Sequence, residues 1–326
     1  MKGRAASAVL AGAVTITLLF LALRRVHLSE VWASISGARW GWIAAMGGIN
    51  MLDLVIRALR WRVLLSRTGA RPGAASLFRL EAVGLAVNNV LPFRVGELAR
   101  SFLAARELGL PTMTALASVA VERALDVAAL LTLFCAASAG FPELVPAFAR
   151  RAGLLVLSAC VGSLVVLAAA EAPLSPGGSW ETALRRWPRV HDLVVQLAAG
   201  AAVLRSAPAA AKAAALSLSL WGVDAAFYWA GARALGLGNF MDYGRSVLVL
   251  SWAGAAAVLP TAPGGFGAFE AAVASIVEKL GVEPGRALAY AVLNHGVGYL
   301  TVTAVGLACL WRVGLSLSEL RSAVER

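Results

Sequence analysis

Residues 152–170 read AGLLVLSACVGSLVVLAAA, a stretch without a single charge. Roughly 20 apolar residues in a helix cross a hydrocarbon core of about 30 Å. Three further uncharged runs follow the same rule: Ala5 to Leu23, Ser246 to Phe269 and Ala287 to Trp311. The whole chain of 326 residues agrees with them. It is 60% hydrophobic and 14% charged, with mean hydropathy +0.76, whereas soluble domains are about 45–50% apolar and about 25% charged. The sequence therefore predicts an all-α polytopic membrane protein. The first run is long for the core of a signal peptide and lacks a small-x-small cleavage site before the charges that follow, so it reads as a retained span.

Working outward, spans are expected near 6–23, 40–60, 112–138, 151–170, 209–235 and 285–312. Two other apolar stretches, 74–108 and 244–280, are interrupted by proline and glycine. The first breaks at Leu91-Pro92-Phe93-Arg94-Val95-Gly96 and the second at Pro260-Thr261-Ala262-Pro263-Gly264-Gly265-Phe266-Gly267. Proline removes a backbone donor, and irregular backbone at membrane depth is tolerated only inside protein or against a cavity. Each stretch therefore reads as a re-entrant helical hairpin. Two full crossings per stretch is the competing reading.

The halves, about 1–140 and 151–315 of a single membrane domain, share spacing. Asp53, Arg62, Pro92 and Gly96 recur as Asp224, Arg233, Pro263 and Gly267, each 171 residues on. Three crossings separate the second span from the fifth, and a hairpin adds none or two, so the halves have opposite orientation. Six spans and two hairpins then form an inverted 3+3 repeat, an architecture that places binding sites at the midplane where broken helices meet.

The net charge of +11 fits basic loops on the cytoplasmic side; no nucleic-acid motif accompanies it. With the N-terminus inside, the inner segments hold nineteen lysines and arginines and the outer ones nine, with Arg123 inside a span. Both termini are expected in the cytoplasm, in a bacterial or archaeal inner membrane. A linker at about 171–206, basic and partly amphipathic, is either a solvated loop or a helix on the anionic inner leaflet. Cys135, Cys160 and Cys309 and the histidines His27, His191 and His295 are too scattered for a disulfide framework or a metal site. No cofactor is expected.

The candidate site residues are those that are expensive in lipid. Glu122, Arg123 and Asp126 lie in one span, and a charge near a helix centre costs about 2.5–3.5 kcal/mol on the insertion scale, so they must pair or face water. Glu97 and Glu270 fall in the first turn after each break, where a carboxylate complements the positive helix end. They also suit a shared cavity that takes a cationic group or a proton. Arg94 and Arg100 flank Glu97 and suit phosphate, unless Arg94 snorkels to a surface. Asn88 and Asn89 are placed to cap freed backbone groups. Asp53 and Arg57 are spaced as a local ion pair. Asp224 has no such basic neighbour. His295, beside Asn294 with Tyr299 four residues on, reads as a helix contact or a proton carrier.

At these residues the chain resembles the transmembrane region of lysylphosphatidylglycerol synthases and its stand-alone, flippase-like relatives. Three patches carry the likeness in order: Asn88-Asn89-Val90-Leu91-Pro92-Phe93-Arg94-Val95-Gly96-Glu97-Leu98-Ala99-Arg100, then Glu122-Arg123 with Asp126, then Pro260 to Glu270. The resemblance covers essentially the whole sequence. It implies a helical membrane domain that translocates a lipid. Arg94, Glu97, Arg100, Glu122, Arg123, Asp126, Gly264, Gly265 and Glu270 would then contact the headgroup, with Asn88, Asp224 and His295 as further candidates. The chain ends at Arg326, soon after its last span, so the synthases' soluble aminoacyltransferase domain is not expected, nor is lipid aminoacylation. The expected partners are a membrane lipid and a lipid-biosynthesis enzyme. Two other functions stay open: a membrane-embedded transferase acting on a lipid-linked substrate, for which no metal spacing, nucleophile elbow or phosphate loop is found, and a secondary transporter of a small solute.

Overall fold

The computed structural model describes residues 28–91, 95–174, 179–256 and 263–313. The predicted span 6–23, Arg94 with Pro92 and Phe93, and the start of the second break (Pro260, Thr261 and Ala262) lie outside these residues. Every regular element among the described residues is helical. We number the α-helices in chain order: α1 (Leu28–Ser36), α2 (Trp40–Leu64), α3 (Ala74–Val90), α4 (Val95–Leu108), α5 (Thr112–Gly140), α6 (Ala147–Leu174), α7 (Ser179–Leu184), α8 (Pro188–Ala201), α9 (Ala207–Ala234), α10 (Tyr243–Ala256), α11 (Ala268–Lys279) and α12 (Pro284–Val313).

Among the described residues, three helical stretches are long and apolar enough to cross a membrane: Trp40–Arg67, Ala147–Ala169 and Pro284–Arg312. A fourth is the pair Pro188–Arg205 and Ala207–Ala234, bent by 85°. Ala147–Ala169, with mean hydropathy 2.4, is only 6% buried. Such apolar exposure has no place in water, and it marks α6 as a lipid-facing flank. The protein is a multi-pass membrane protein.

Two apolar clusters organise the interior. Trp61, Leu77, Val83, Leu103 and Val119 hold together α2 to α5. Phe227, Val249, Val273, Leu288 and Tyr290 hold together α9 to α12. Helix α2 packs along α9, and α3 along α12. Small residues permit the second contact: a Cβ on Gly306 of α12 would collide with the Ala82 carbonyl and Ala86 of α3, the close approach typical of membrane helices.

The stretch 74–108 is an antiparallel hairpin. Ser76 and Arg79 meet Glu107, Glu81 meets Arg100, and Asn88 meets Gly96. At its tip the two backbones nearly touch, because a Cβ on Gly96 would run into the Gly84 carbonyl. Asn88 Oδ1 accepts a hydrogen bond from the Gly96 N–H at 2.7 Å, so an orphan donor at the start of α4 is satisfied from across the break. The predicted capping role of Asn88 is met in this way. In the second break Gly264, Gly265 and Gly267 all have φ between 75° and 85°, a region open to glycine at little cost.

Much of the stretch expected to be a linker is folded. Helix α8 lies against α5 and α6, with Ala198, Gly200 and Ala201 buried, and Thr114 Oγ1 donates to the Gln196 carbonyl at 3.0 Å. Its small residues form a packing face, which the reading as a solvated loop overlooked.

Candidate functional site: a buried charge seam beside the first helix break

Asp53, Arg57 and Arg60 sit at i, i+4 and i+7 on α2 and therefore share one face. That face meets α3, α5 and α9. Arg57 Nε donates to Asp53 Oδ2 at 2.7 Å, and its Nη2 lies 3.7 Å from Asp224 Oδ2 of α9. The local Asp53–Arg57 pair is as expected. Asp224, without a basic neighbour in sequence, takes Arg57 from across the helix interface. Asp53 and Asp224, matched at an offset of 171, thus flank one guanidinium.

Glu122 is the hub. Its Oε1 is approached by Arg60 Nη2 at 3.1 Å, by Arg100 Nη2 at 2.7 Å and by Arg123 Nη2. The side chains of Arg60 and Glu122 are wholly buried. Arg60 also bonds Asp126 and Ser217 Oγ, Arg100 bonds Glu81, and Arg123 pairs with Asp126 Oδ2 at 3.0 Å. Trp221 Nε1 donates to Asp126 Oδ1 at 3.1 Å. The Arg100 guanidinium stacks 4.9 Å above the Trp61 ring. The charges of α5 therefore pair, as their cost in lipid requires. Arg123 also reaches Glu97, 3.8 Å away, and these two side chains remain 32% and 23% exposed.

Four arginines in this seam face six carboxylates: Asp53, Glu81, Glu97, Glu122, Asp126 and Asp224. Fully ionised, it carries two more negative charges than positive. A crevice of about 10 Å³ lies among Glu81, Asn88, Glu97, Arg100 and Arg123, room for about one water. It does not reach Glu270.

Glu270 belongs to a second, smaller site. Its Oε2 accepts the Gly267 N–H at 2.6 Å, which is the carboxylate half of a capping box. Its Oε1 lies 2.6 Å from His295 Nδ1, and His295 Nε2 lies 2.9 Å from the Gly264 carbonyl. A carbonyl can only accept, so the hydrogen of that contact sits on Nε2. Phe266 and Phe269 flank the imidazole at centroid distances of 4.6 and 4.5 Å. A Cβ on Gly264 would press on Tyr299 and Phe266, whereas Gly265 borders open space. Tyr299 Oη donates to the Asn89 carbonyl at 3.3 Å while its ring lies 5.3 Å from Phe266. The two breaks thus adjoin through Tyr299. Asn89 Nδ2 bonds Thr303 Oγ1 at 2.9 Å.

The structure brings Arg100, Glu122, Arg123, Asp126, Glu97 and Asp224 into one seam, with Asn88 at its edge. It places Gly264, Gly265, Glu270 and His295 in the other site. Arg57, Arg60 and Glu81 were not singled out as site residues. Arg57, Arg60 and Arg100, three of the nineteen basic residues expected in inner segments, are all buried. Without them that side still holds sixteen basic residues to nine. The helical spacing of Asp53, Arg57 and Arg60 on an apolar helix was the available signal.

The sequence matches the profile of the lysylphosphatidylglycerol synthase TM region over residues 8–306. The chain belongs to this family. A further likeness is to a protein named Glycosyltransferase AglD of Haloferax volcanii, at 27% identity over 344 aligned positions. That alignment covers 95% of the chain but 55% of the relative, so this family member spans about half the length of the curated protein it matches. No solved structure matches significantly.

Proposed function

We propose that this protein translocates a polar lipid across a bacterial or archaeal inner membrane, its headgroup passing between the two helix breaks while the chains stay in lipid. The observation that carries this reading is the buried seam of paired charges beside the first break, with the second break reached through Tyr299, in a membrane protein of this family. Intramembrane ionisable residues mark substrate and ion paths. The seam's two excess carboxylates suit a cationic headgroup or transferred protons, with Glu97 and Asp224 its more accessible acids. Arg94 and the helix starts after the breaks suit phosphate. The crevice admits no headgroup as it stands, so the reading requires the halves to part.

Packing supports the inverted repeat. The neighbour relations α2–α3, α3–α4 and α4–α5 recur as α9–α10, α10–α11 and α11–α12, and the cross-contact α3–α12 recurs as α5–α10. Lengths support re-entrant hairpins. The two arms with both ends described, 17 and 12 residues long, span about 25 and 18 Å at 1.5 Å per residue, short of a core of about 30 Å. Cytoplasmic termini follow from the charge count, and we infer a lipid-biosynthesis enzyme as the functional partner.

The test is reconstitution into liposomes with fluorescent phospholipids, scored by bleaching with an impermeant reductant. Wild type should bleach well beyond the outer-leaflet half, while Glu97→Gln and Glu270→Gln, if they fold, should not. Unchanged bleaching in both variants would sink the site assignment.

A second reading, transfer to a lipid-linked acceptor, is favoured by the name of the archaeal relative. It predicts no bleaching with any headgroup, together with product formed by the pure protein from labelled lipid-linked precursors.

A further inference from the structure

At the open end of the first hairpin, remote from its break, α3, α4 and α12 enclose a pocket of about 410 Å³, within the range of ligand sites. Its floor is apolar: Leu80, Val83, Leu103 and Leu310 are all buried. Its rim is charged, with Arg79, Arg106 and Arg312 opposing Glu107. Arg79 pairs with Glu107 at 3.1 Å, so the rim keeps two positive charges in excess. Arg106 lies six residues beyond Arg100, about 9 Å along α4, so the pocket is separate from the buried seam.

The surfaces leading to this rim identify what fills it. Along α4, Leu98 and Phe102 are exposed at four-residue spacing, and the next residue of that stripe is Arg106. Along α12, Leu300, Leu307 and Trp311 are exposed, and Arg312 follows; Trp311 is 84% exposed. Each apolar stripe faces lipid, and each ends in a guanidinium. A tryptophan beside an arginine at a helix end is the usual marker of the membrane–water interface. A soluble phosphate would use the rim but neither stripe.

We propose that this pocket binds the phosphate-bearing headgroup of an anionic membrane lipid, held by Arg106 and Arg312, with the chains lying along the Leu98–Phe102 and Leu307–Trp311 stripes. Basic pockets between membrane helices bind anionic headgroups on the same principle. The inference does not rest on translocation, because it concerns equilibrium binding at a different place.

The test is native mass spectrometry of the full chain in detergent, titrated with phosphatidylglycerol or phosphatidylcholine, alone and with excess inorganic phosphate. Wild type should prefer phosphatidylglycerol. The double variant Arg106→Gln/Arg312→Gln, whose exposed side chains leave the fold intact, should lose about thirtyfold in that preference. Arg150→Gln/Arg151→Gln, at a different surface, should keep it. The proposal is overturned if the Arg106/Arg312 variant binds as wild type does, if the Arg150/Arg151 variant loses as much, or if inorganic phosphate displaces the lipid fully.

Discussion

The two hairpins solve one problem with different chemistry. In each, a carboxylate in the first turn after the break is met by a base from the following long helix: Glu97 by Arg123 of α5, and Glu270 by His295 of α12. His295 lies 172 residues after Arg123, the offset that also relates Leu108-Gly109 to Leu280-Gly281. Around Arg123 the surroundings are ionic, with Glu122, Asp126, Arg60 and Arg100 close by. Around His295 they are aromatic, with Phe266, Phe269 and Tyr299. Arginine keeps its proton under all physiological conditions, whereas imidazole exchanges its own. The first hairpin is therefore held by guanidinium–carboxylate pairs, and the second by an imidazole–carboxylate contact among aromatic rings.

The largest effect should come from Glu122→Ala, which takes the shared acceptor from three arginines. Removing one partner of a buried ion pair costs about 3–5 kcal/mol, readable as a lowered unfolding midpoint in detergent. Asn294→Ala, at the corresponding place 172 residues on, removes one hydrogen bond to the Tyr290 carbonyl and should cost about 1 kcal/mol. Equal losses would break the contrast between an ionic and an aromatic half.

A smaller effect is expected from Gly96→Ala, because the added methyl meets the Gly84 backbone and the Asn88 side chain. Overpacking of this kind costs about 1–3 kcal/mol. The hairpin arms must separate, so limited proteolysis should cut near residue 92 faster than in wild type. Unaltered cleavage would show that the tip of this hairpin is looser than its contacts imply.

The smallest effect belongs to Arg123→Ala. Arg123 is one-third exposed, and Glu122 keeps Arg60 and Arg100 without it, so stability should fall by less than about 1 kcal/mol. A loss as large as that of Glu122→Ala would make Arg123 part of the clamp rather than its rim.

The membrane nature, the helical class and both breaks were legible in the sequence, because span length and Pro-Gly interruptions are local signals. So were the charges of α5, which announce themselves by their cost in lipid. The partners were less legible. Arg60 meets Glu122 and Asp126 more than sixty residues away, and Asp224 meets Arg57 only because α2 and α9 pack together. Pairing across helices depends on rotation about the helix axes, which no local pattern specifies. Gly96 read as part of a break; that its missing side chain lets two backbones touch needed the fold.

The crevice beside Glu97 has room for about one water molecule, and the guanidiniums and carboxylates around it are bonded to one another. A polar seam of this kind would ordinarily threaten the membrane's electrical resistance. A space of about 10 Å³ beside Glu97 is too small for a hydrated ion. Paired charge can therefore be kept beside Glu97 without an ion-sized passage among the described residues there.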